Sequence, residues 1–319
     1  VEVSIAIADA VRMCDVDVVA AYPITPQTHI VEHLAELVAN GELDAEFIPV
    51  DSEHSAMSVC CGSSAVGART FTCTSSQGLA LMSEIVLIAA SMGLPIVMIL
   101  ANRSLSGPLS IWNDHTDVMS VRDCGWIQVF TENGQEVFDH VMFAFRVAEA
   151  RNVSLPLIVN MDGFILTHVI EPIEFWEPEQ VKKYLPDFNP LQRLHPDNPV
   201  TMGAYGVPGI FTETKKAQDT ALLNAKPEIL KAWKELAEIT GRAYYPVETY
   251  RTEAADILFL TMGSFGETVS IAVDSLCDKG EPVGQVKLRL WRPFPFEEFR
   301  DAVKQAKHII VLDLSLIHI

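Results

Sequence analysis

The chain has 319 residues, 49% of them hydrophobic and 20% charged, with a formal net charge of −19 and a pI near 4.8. These values exclude extensive disorder and leave room for two domains with their own cores. The acidity also excludes nucleic acid as a partner, because phosphate binding needs clustered Lys and Arg, and it repels other acidic proteins.

Along the chain, β-rich runs alternate with amphipathic ones, the rhythm of a parallel α/β sheet. Strands are predicted at residues 16–21, 46–50, 70–73, 95–101, 126–130 and 155–160, and helices at 30–38, from about 55, at 79–90 and at 135–150. An uncharged run of 18 residues, 85–102, has the length of a membrane span. Met92-Gly93-Leu94-Pro95 splits it into a helix end and a buried strand, so no membrane span is expected. Residues 171–208 are Pro-rich and irregular, and one helix is expected over 212–240. A second βαβ pattern follows: strand 256–261, helix to about 279, strand 283–290, helix 296–306 and strand 308–313. The predicted domains are therefore 1–170 and 251–319, joined by a linker and helix over 171–250.

The six cysteines, Cys14, Cys60, Cys61, Cys73, Cys124 and Cys277, form no C-x-x-C pair and are expected to be buried free thiols. No secretory signal opens the chain, so a reducing cytoplasm is the expected location. A start at Val1 and an apolar stop over 314–319 lead to the expectation of a truncated second domain.

Chemistry-bearing residues cluster where predicted strands end, the edge at which open α/β sheets bind ligands. Tyr22-Pro23-Ile24-Thr25-Pro26 is a short loop whose two proline rings hold Thr25 still. The next three strand ends carry Asp51-Ser52-Glu53-His54, then Thr74-Ser75-Ser76-Gln77-Gly78, then Asn102-Arg103-Ser104. Glu53 is either a first-turn acid stabilised by the helix dipole or a pocket carboxylate. Arg103 is either half of a surface salt bridge or a clamp for a carboxylate ligand. Ser75 and Ser76 are either helix caps or anion donors. Asp114-His115-Thr116-Asp117 reads equally as a pocket-lining loop and as a solvated turn. His29, His33 and His54 lack the spacing of a metal site, so no metal ligand is assigned to this chain.

Taken in order, Tyr22-Pro23-Ile24-Thr25-Pro26, Ser52-Glu53-His54-Ser55-Ala56-Met57, Thr74-Ser75-Ser76-Gln77-Gly78-Leu79 and Ala101-Asn102-Arg103-Ser104-Leu105 carry a resemblance. Ile111-Trp112-Asn113-Asp114-His115, Asn160-Met161-Asp162-Gly163-Phe164, Tyr250-Arg251-Thr252-Glu253 and Arg292-Pro293-Phe294-Pro295 extend it over nearly the whole chain. The sequence resembles the alpha subunit of pyruvate:ferredoxin oxidoreductases, within the 2-oxoacid:ferredoxin oxidoreductase family.

The resemblance implies a parallel-sheet pyrimidine-binding domain for thiamine diphosphate, followed by a transketolase C-terminal-like α/β domain. It implies conversion of pyruvate and coenzyme A to acetyl-CoA and CO2, reversibly, with electrons passed to ferredoxin. Glu53 would hydrogen-bond the aminopyrimidine N1′, with Tyr22, Pro23, Ser75 and Ser76 also on the cofactor side. Thr25 and Arg103 would hold the 2-oxoacid. No Gly-Asp-Gly with a following Asn is present, nor a cluster-binding cysteine pattern. A beta subunit is therefore expected to bring the diphosphate site, Mg2+ and a [4Fe-4S] cluster, with gamma and delta subunits completing the assembly. Ferredoxin is itself acidic, so electrons are expected to leave through a partner. A different 2-oxoacid, such as 2-oxoisovalerate or 2-oxoglutarate, and a non-catalytic structural subunit are the alternatives. Gly263-Ser264-Phe265-Gly266 reads either as a packing turn or as a weak phosphate cradle.

Overall fold

The computed structural model describes residues 1–314. The first half runs α1 (Val3–Met13), β1 (Val18–Ala21), α2 (Thr28–Ala39), β2 (Glu46–Pro49), α3 (Glu53–Val66), β3 (Thr70–Thr74), α4 (Gln77–Ser91), β4 (Val97–Asn102), α5 (Thr116–Ser120), β5 (Ile127–Phe130), α6 (Gly134–Ala148) and β6 (Leu157–Asp162). Then come α7 (Pro178–Tyr184), α8 (Pro208–Asn224), α9 (Lys226–Thr240), β7 (Val247–Tyr250), β8 (Ile257–Thr261), α10 (Phe265–Cys277), β9 (Val283–Leu288), β10 (Leu290–Arg292), α11 (Phe296–Val303) and β11 (His308–Val311).

Six parallel strands of the first half form one sheet in the order β5-β6-β4-β3-β1-β2, and β10 adds to its β5 edge in the antiparallel sense. The central strands β3, β4 and β6 are buried along their whole length. β4 accordingly reads as a nearly continuous apolar run, while β3 alternates Thr with Phe and Cys although both of its faces are buried. One face is covered by α1, α2 and α6, the other by α3, α4 and α5, each over its own apolar core. A smaller sheet, β11-β8-β9-β7, carries α10 and α11.

Several elements differ from the sequence reading: α5, α7 and β7 fall where only loop or linker was expected, and three further differences have a plain physical reason. α1 was not expected; its Val3, Ile7, Ala10 and Val11 recur at helical spacing and are fully buried. The helix expected over 212–240 is two, α8 and α9, parted at Ala225 just before Pro227, which sits in the first turn of α9 where a missing N–H costs nothing. The strand expected over 283–290 ends at Leu288, and Leu290–Arg292 crosses to the first sheet.

The second sheet is tied to the carboxyl edge of the first by buried charge. His115 and Asp162 form a fully enclosed pair at 2.7 Å. The other oxygen of Asp162 accepts the N–H of Ser264 at 2.7 Å and its hydroxyl at 2.6 Å. Gly263 has φ +88°, and a Cβ there would stand 2.8 Å from the same carboxylate. The Gly263–Gly266 turn thus closes on an anion belonging to the chain itself, which makes it a packing turn. Lys287 to Glu132 at 3.0 Å and Arg289 to Glu136 at 2.6 Å continue the seam.

Burial opposes the charge of His115, but the Asp162 carboxylate outweighs it and raises the imidazole above its ordinary 6.5. Burial likewise opposes the charge of Asp162, and His115 with Ser264 outweighs it and lowers the carboxyl below 3.8. The histidine part of this stability is complete below its unfolded value and is lost as pH rises through its folded one. The aspartate part is present above its unfolded value and is lost as pH falls. The pair therefore contributes most between about pH 4 and 6.5. Asp162→Asn is expected to cost about 3–5 kcal/mol at pH 6 and less at pH 9, read from denaturant unfolding of the assembled protein. An equal loss at both values would show that charge has no part in it.

Candidate active site

Four loops leave the carboxyl edge at the ends of β1, β2, β3 and β4, and the structure draws them together. Gln27 holds the first in shape: its side-chain N–H donates to the Tyr22 carbonyl at 2.9 Å, and its oxygen accepts from the Cys73 thiol at 3.3 Å. The chain beyond β6 closes against the same loop, because at Gly163 a Cβ would fall 2.8 Å from Pro26 and 2.5 Å from the Asn102 carbonyl. Tyr22, Pro23 and Thr25 remain exposed at the rim.

Glu53 is the first residue of α3, behind Ser52, whose hydroxyl caps the helix by accepting the Ser55 N–H at 3.3 Å. It is a first-turn acid, yet only 7% exposed. Among the described residues no hydrogen bond to its carboxylate is found, and the neighbouring Thr74 hydroxyl is buried without a partner as well. Gly78 makes this space: a Cβ there would stand 2.2 Å from Thr74 Oγ1 and 2.8 Å from Glu53 Oε1. Leaving buried polar atoms unmatched costs about 1–3 kcal/mol each, so such a group marks a place for a ligand with donors.

Arg103 is 5% exposed and forms no ion pair among the described residues, which removes the surface salt bridge. Its guanidinium donates to the Thr25 carbonyl and, at 2.6 Å, to Gln77 Oε1, while its Nε is buried and unmatched. Burial lowers its affinity for the proton, and the charges of Asp117 and Glu53 oppose that. A cation held by neutral acceptors, with a donor to spare, has the chemistry to receive a carboxylate.

The hydroxyls of the two serines face the chain itself, and the Ser76 backbone N–H donates to the Asp117 carboxylate at 3.1 Å. Ser75 donates to the Ala101 carbonyl at 2.7 Å, and Ser76 donates to Gln77 and Ser104, so both hydroxyls are spent inside the chain. Neither caps α4. Ser76 instead adopts φ +48°, a conformation that side chains rarely take and that surrounding contacts must hold. His29, His33 and His54 face different carboxylates, Glu2, Asp9 with Glu36, and Glu84. Asp114-His115-Thr116-Asp117 is no solvated turn: all four residues are buried where α5 begins.

These residues suit the aminopyrimidine half of thiamine diphosphate. An unmatched carboxylate and hydroxyl line a cradle that only glycine permits. No group of three or more His, Cys, Asp or Glu that could hold a metal ion is found among the described residues.

Comparison with known proteins agrees with this geometry. Residues 9–234 match the family described as "Pyruvate flavodoxin/ferredoxin oxidoreductase, thiamine diP-bdg", and residues 255–318 match "Pyruvate:ferredoxin oxidoreductase core domain II". The chain belongs to the pyruvate:ferredoxin oxidoreductase family. It is 49% identical to "Pyruvate synthase subunit PorA" of Methanocaldococcus jannaschii over 314 residues, 98% of this chain and 81% of that protein. Identity to the subunit of the same name from Thermotoga maritima is 48%, over 98% of this chain and 80% of the relative. "Ketoisovalerate oxidoreductase subunit VorA" of Pyrococcus horikoshii is 47% identical, over 93% of this chain and 76% of its own. Among solved structures, a 2-oxoglutarate:ferredoxin oxidoreductase from Magnetococcus marinus aligns with TM-score 0.73 at 20% identity, covering 98% of this chain. The chain spans 57% of that longer protein, and the likeness shows a shared fold.

The sequence reading placed Gln77 and Asp117 in segments that could line the pocket but gave neither a role; they hold Arg103 from two sides. A signal for Gln77 was available in its place beside the glycine that opens α4.

Gly78→Ala is expected to push the Glu53 carboxylate out of its cradle and cost about 1–3 kcal/mol by overpacking. Gly62→Ala, where a Cβ meets nothing within 4 Å in the interior of α3, is expected to gain about 0.5–1 kcal/mol. Thermal unfolding of the two variants checks the contrast, and equal effects would show that the cradle is not tight.

Proposed function

We infer that this chain is the catalytic alpha subunit of a 2-oxoacid:ferredoxin oxidoreductase acting on pyruvate. With coenzyme A the reaction gives acetyl-CoA and CO2, and electrons pass to ferredoxin. The observation that carries this reading is the pairing, at one sheet edge, of Glu53, a 7% exposed carboxylate without a hydrogen-bond partner among the described residues, with Arg103, a buried cation whose Nε is unmatched.

Thiamine diphosphate, when bound, supplies the nucleophilic carbon and electron sink that decarboxylation of a 2-oxoacid needs. Glu53 would hydrogen-bond the pyrimidine N1′, accepting from it when that nitrogen carries a proton, and thereby tune the basicity of the ring. Tyr22 and Pro23, exposed at the rim, would wall the cofactor side, and the fully buried Ser75 and Ser76, their hydroxyls already engaged, would support that wall from behind. Arg103 would receive the substrate carboxylate, and Thr25 the carbonyl side, which fixes the reacting carbon before bond cleavage.

The diphosphate, Mg2+ and [4Fe-4S] clusters would come from a beta subunit and its gamma and delta companions. The helices that start at Glu53 and Gln77 support this placement. α3 exposes Ser58, Gly62 and Val66, and α4 exposes Leu81, Leu87 and Ile88, an uncovered face directly behind the half-site. No helix among the described residues is long and apolar enough to cross a membrane. The six free thiols fit a reducing cytoplasm.

In the reconstituted complex, Glu53→Gln is expected to cut pyruvate-dependent viologen reduction by about 10²-fold or more. Near-normal turnover would remove Glu53 from cofactor activation. Arg103→Ala is expected to raise KM for pyruvate at least about 10-fold, the loss of a charge-assisted contact. Rates with 2-oxoisovalerate and 2-oxoglutarate above that with pyruvate would reassign the substrate.

A further inference from the structure

Asp117, in the first turn of α5, is completely buried and belongs to none of the four loops that form the site. Its carboxylate is nevertheless the point at which two of them are fastened. Oδ2 accepts the backbone N–H of Ser76 at 3.1 Å and that of Arg103 at 2.9 Å. Oδ1 accepts the side-chain amide of Asn102 at 3.1 Å and the N–H of Val118 at 2.7 Å. Four donors occupy the four acceptor directions of one carboxylate. No isosteric neutral group can replace it: an amide turned either way sets its own NH2 against two donors.

We propose that Asp117 is a positioning residue for 2-oxoacid binding, acting through Arg103 by clamping the β3–α4 and β4 loops to each other. Three features support it. The clamped amide at Ser76 lies in the backbone conformation that needs outside support. The next residue, Gln77, takes one arm of the Arg103 guanidinium, and the clamped amide at Arg103 sets where that side chain begins. Asn102, the third donor, also bonds Asn160 at 3.1 Å, so the clamp is braced against β6. This inference rests on the reading of Arg103 as the carboxylate receptor.

The test uses the reconstituted complex with Arg103→Ala, Asp117→Asn and the double variant. It measures kcat and KM for pyruvate, and the calorimetric affinity for oxamate, an unreactive analogue with the same carboxylate. The expected result is that Asp117→Asn raises KM and weakens oxamate about 10-fold or more while kcat falls less, and that it adds little once Arg103 is Ala. An unchanged KM and oxamate affinity, or effects that multiply in the double variant, would overturn the proposal. Should Asp117→Asn fail to assemble, Asn102→Ser removes one donor and keeps the carboxylate; a smaller rise in KM supports the clamp, and an unchanged value refutes it. If Arg103→Ala itself leaves KM and oxamate affinity unaltered, the reading of the site fails first, and the separate behaviour of the Asp117 variant no longer matters.

Discussion

A parallel sheet covered on both faces has no surface to spare for chemistry. β3, β4 and β6 are buried throughout, so the polar residues that follow them must emerge at the carboxyl edge, in loops kept close by strands about 4.8 Å apart. This crowding governs the molecule. Every polar group forced into that edge must find a partner inside the chain, be paired with a charge, or be left for something that binds.

Three acidic residues at the edge show the three outcomes. Asp162 is paired with His115 and also bonded to Ser264, and its charge is used to dock the second sheet. Asp117 has no cation in contact and is saturated by four donors, yet burial still lifts it to about 6. Glu53 has neither. The difference lies in neighbours more than in residue type. Gly78 withholds the side chain that would otherwise fill the space beside Glu53, and Thr74 contributes a hydroxyl without a partner. The same accounting explains Arg103. A guanidinium that held a chain carboxylate would be neutralised before any substrate arrived; one that holds a carbonyl and an amide oxygen keeps its charge available.

The strand–helix rhythm and the four converging loops were legible because each depends on local periodicity and on proline and glycine punctuation. Glu53 and Arg103 were legible for the same reason, since both sit at the junctions that periodicity defines. Asp117 was not, because Asp114-His115-Thr116-Asp117 has the composition of a turn. The donors that bury it come from Ser76, Asn102 and Arg103, which precede it by 14 to 41 residues. The serines misled in the opposite direction: their place beside a helix start suggested caps or anion donors, but the acceptors that consume them, at Ala101 and Ser104, lie on the next loop. β10 escaped notice because three residues carry no periodicity, and what claims them is the open edge of β5.

The surface is consistent with the half-site proposed for this chain. α3 and α4 begin at the cradle and bury only the sides turned toward the sheet; their outer sides combine small residues, which let another backbone approach, with Leu81, Leu87 and Ile88. A net charge of −19 would keep a second acidic surface away unless that contact were apolar, and this face has Glu84 as its one exposed charge on α4. Hydrophobic cover is indifferent to the sign of the partner. It would let an acidic subunit carrying the diphosphate and metal half close over Glu53, while the remaining acidic surface stays poorly suited to an acidic electron carrier. The charge distribution and the glycine-lined cradle beside Glu53 both favour the proposed division of labour, in which this chain recognises substrate and pyrimidine and a partner supplies phosphate, metal and electron exit.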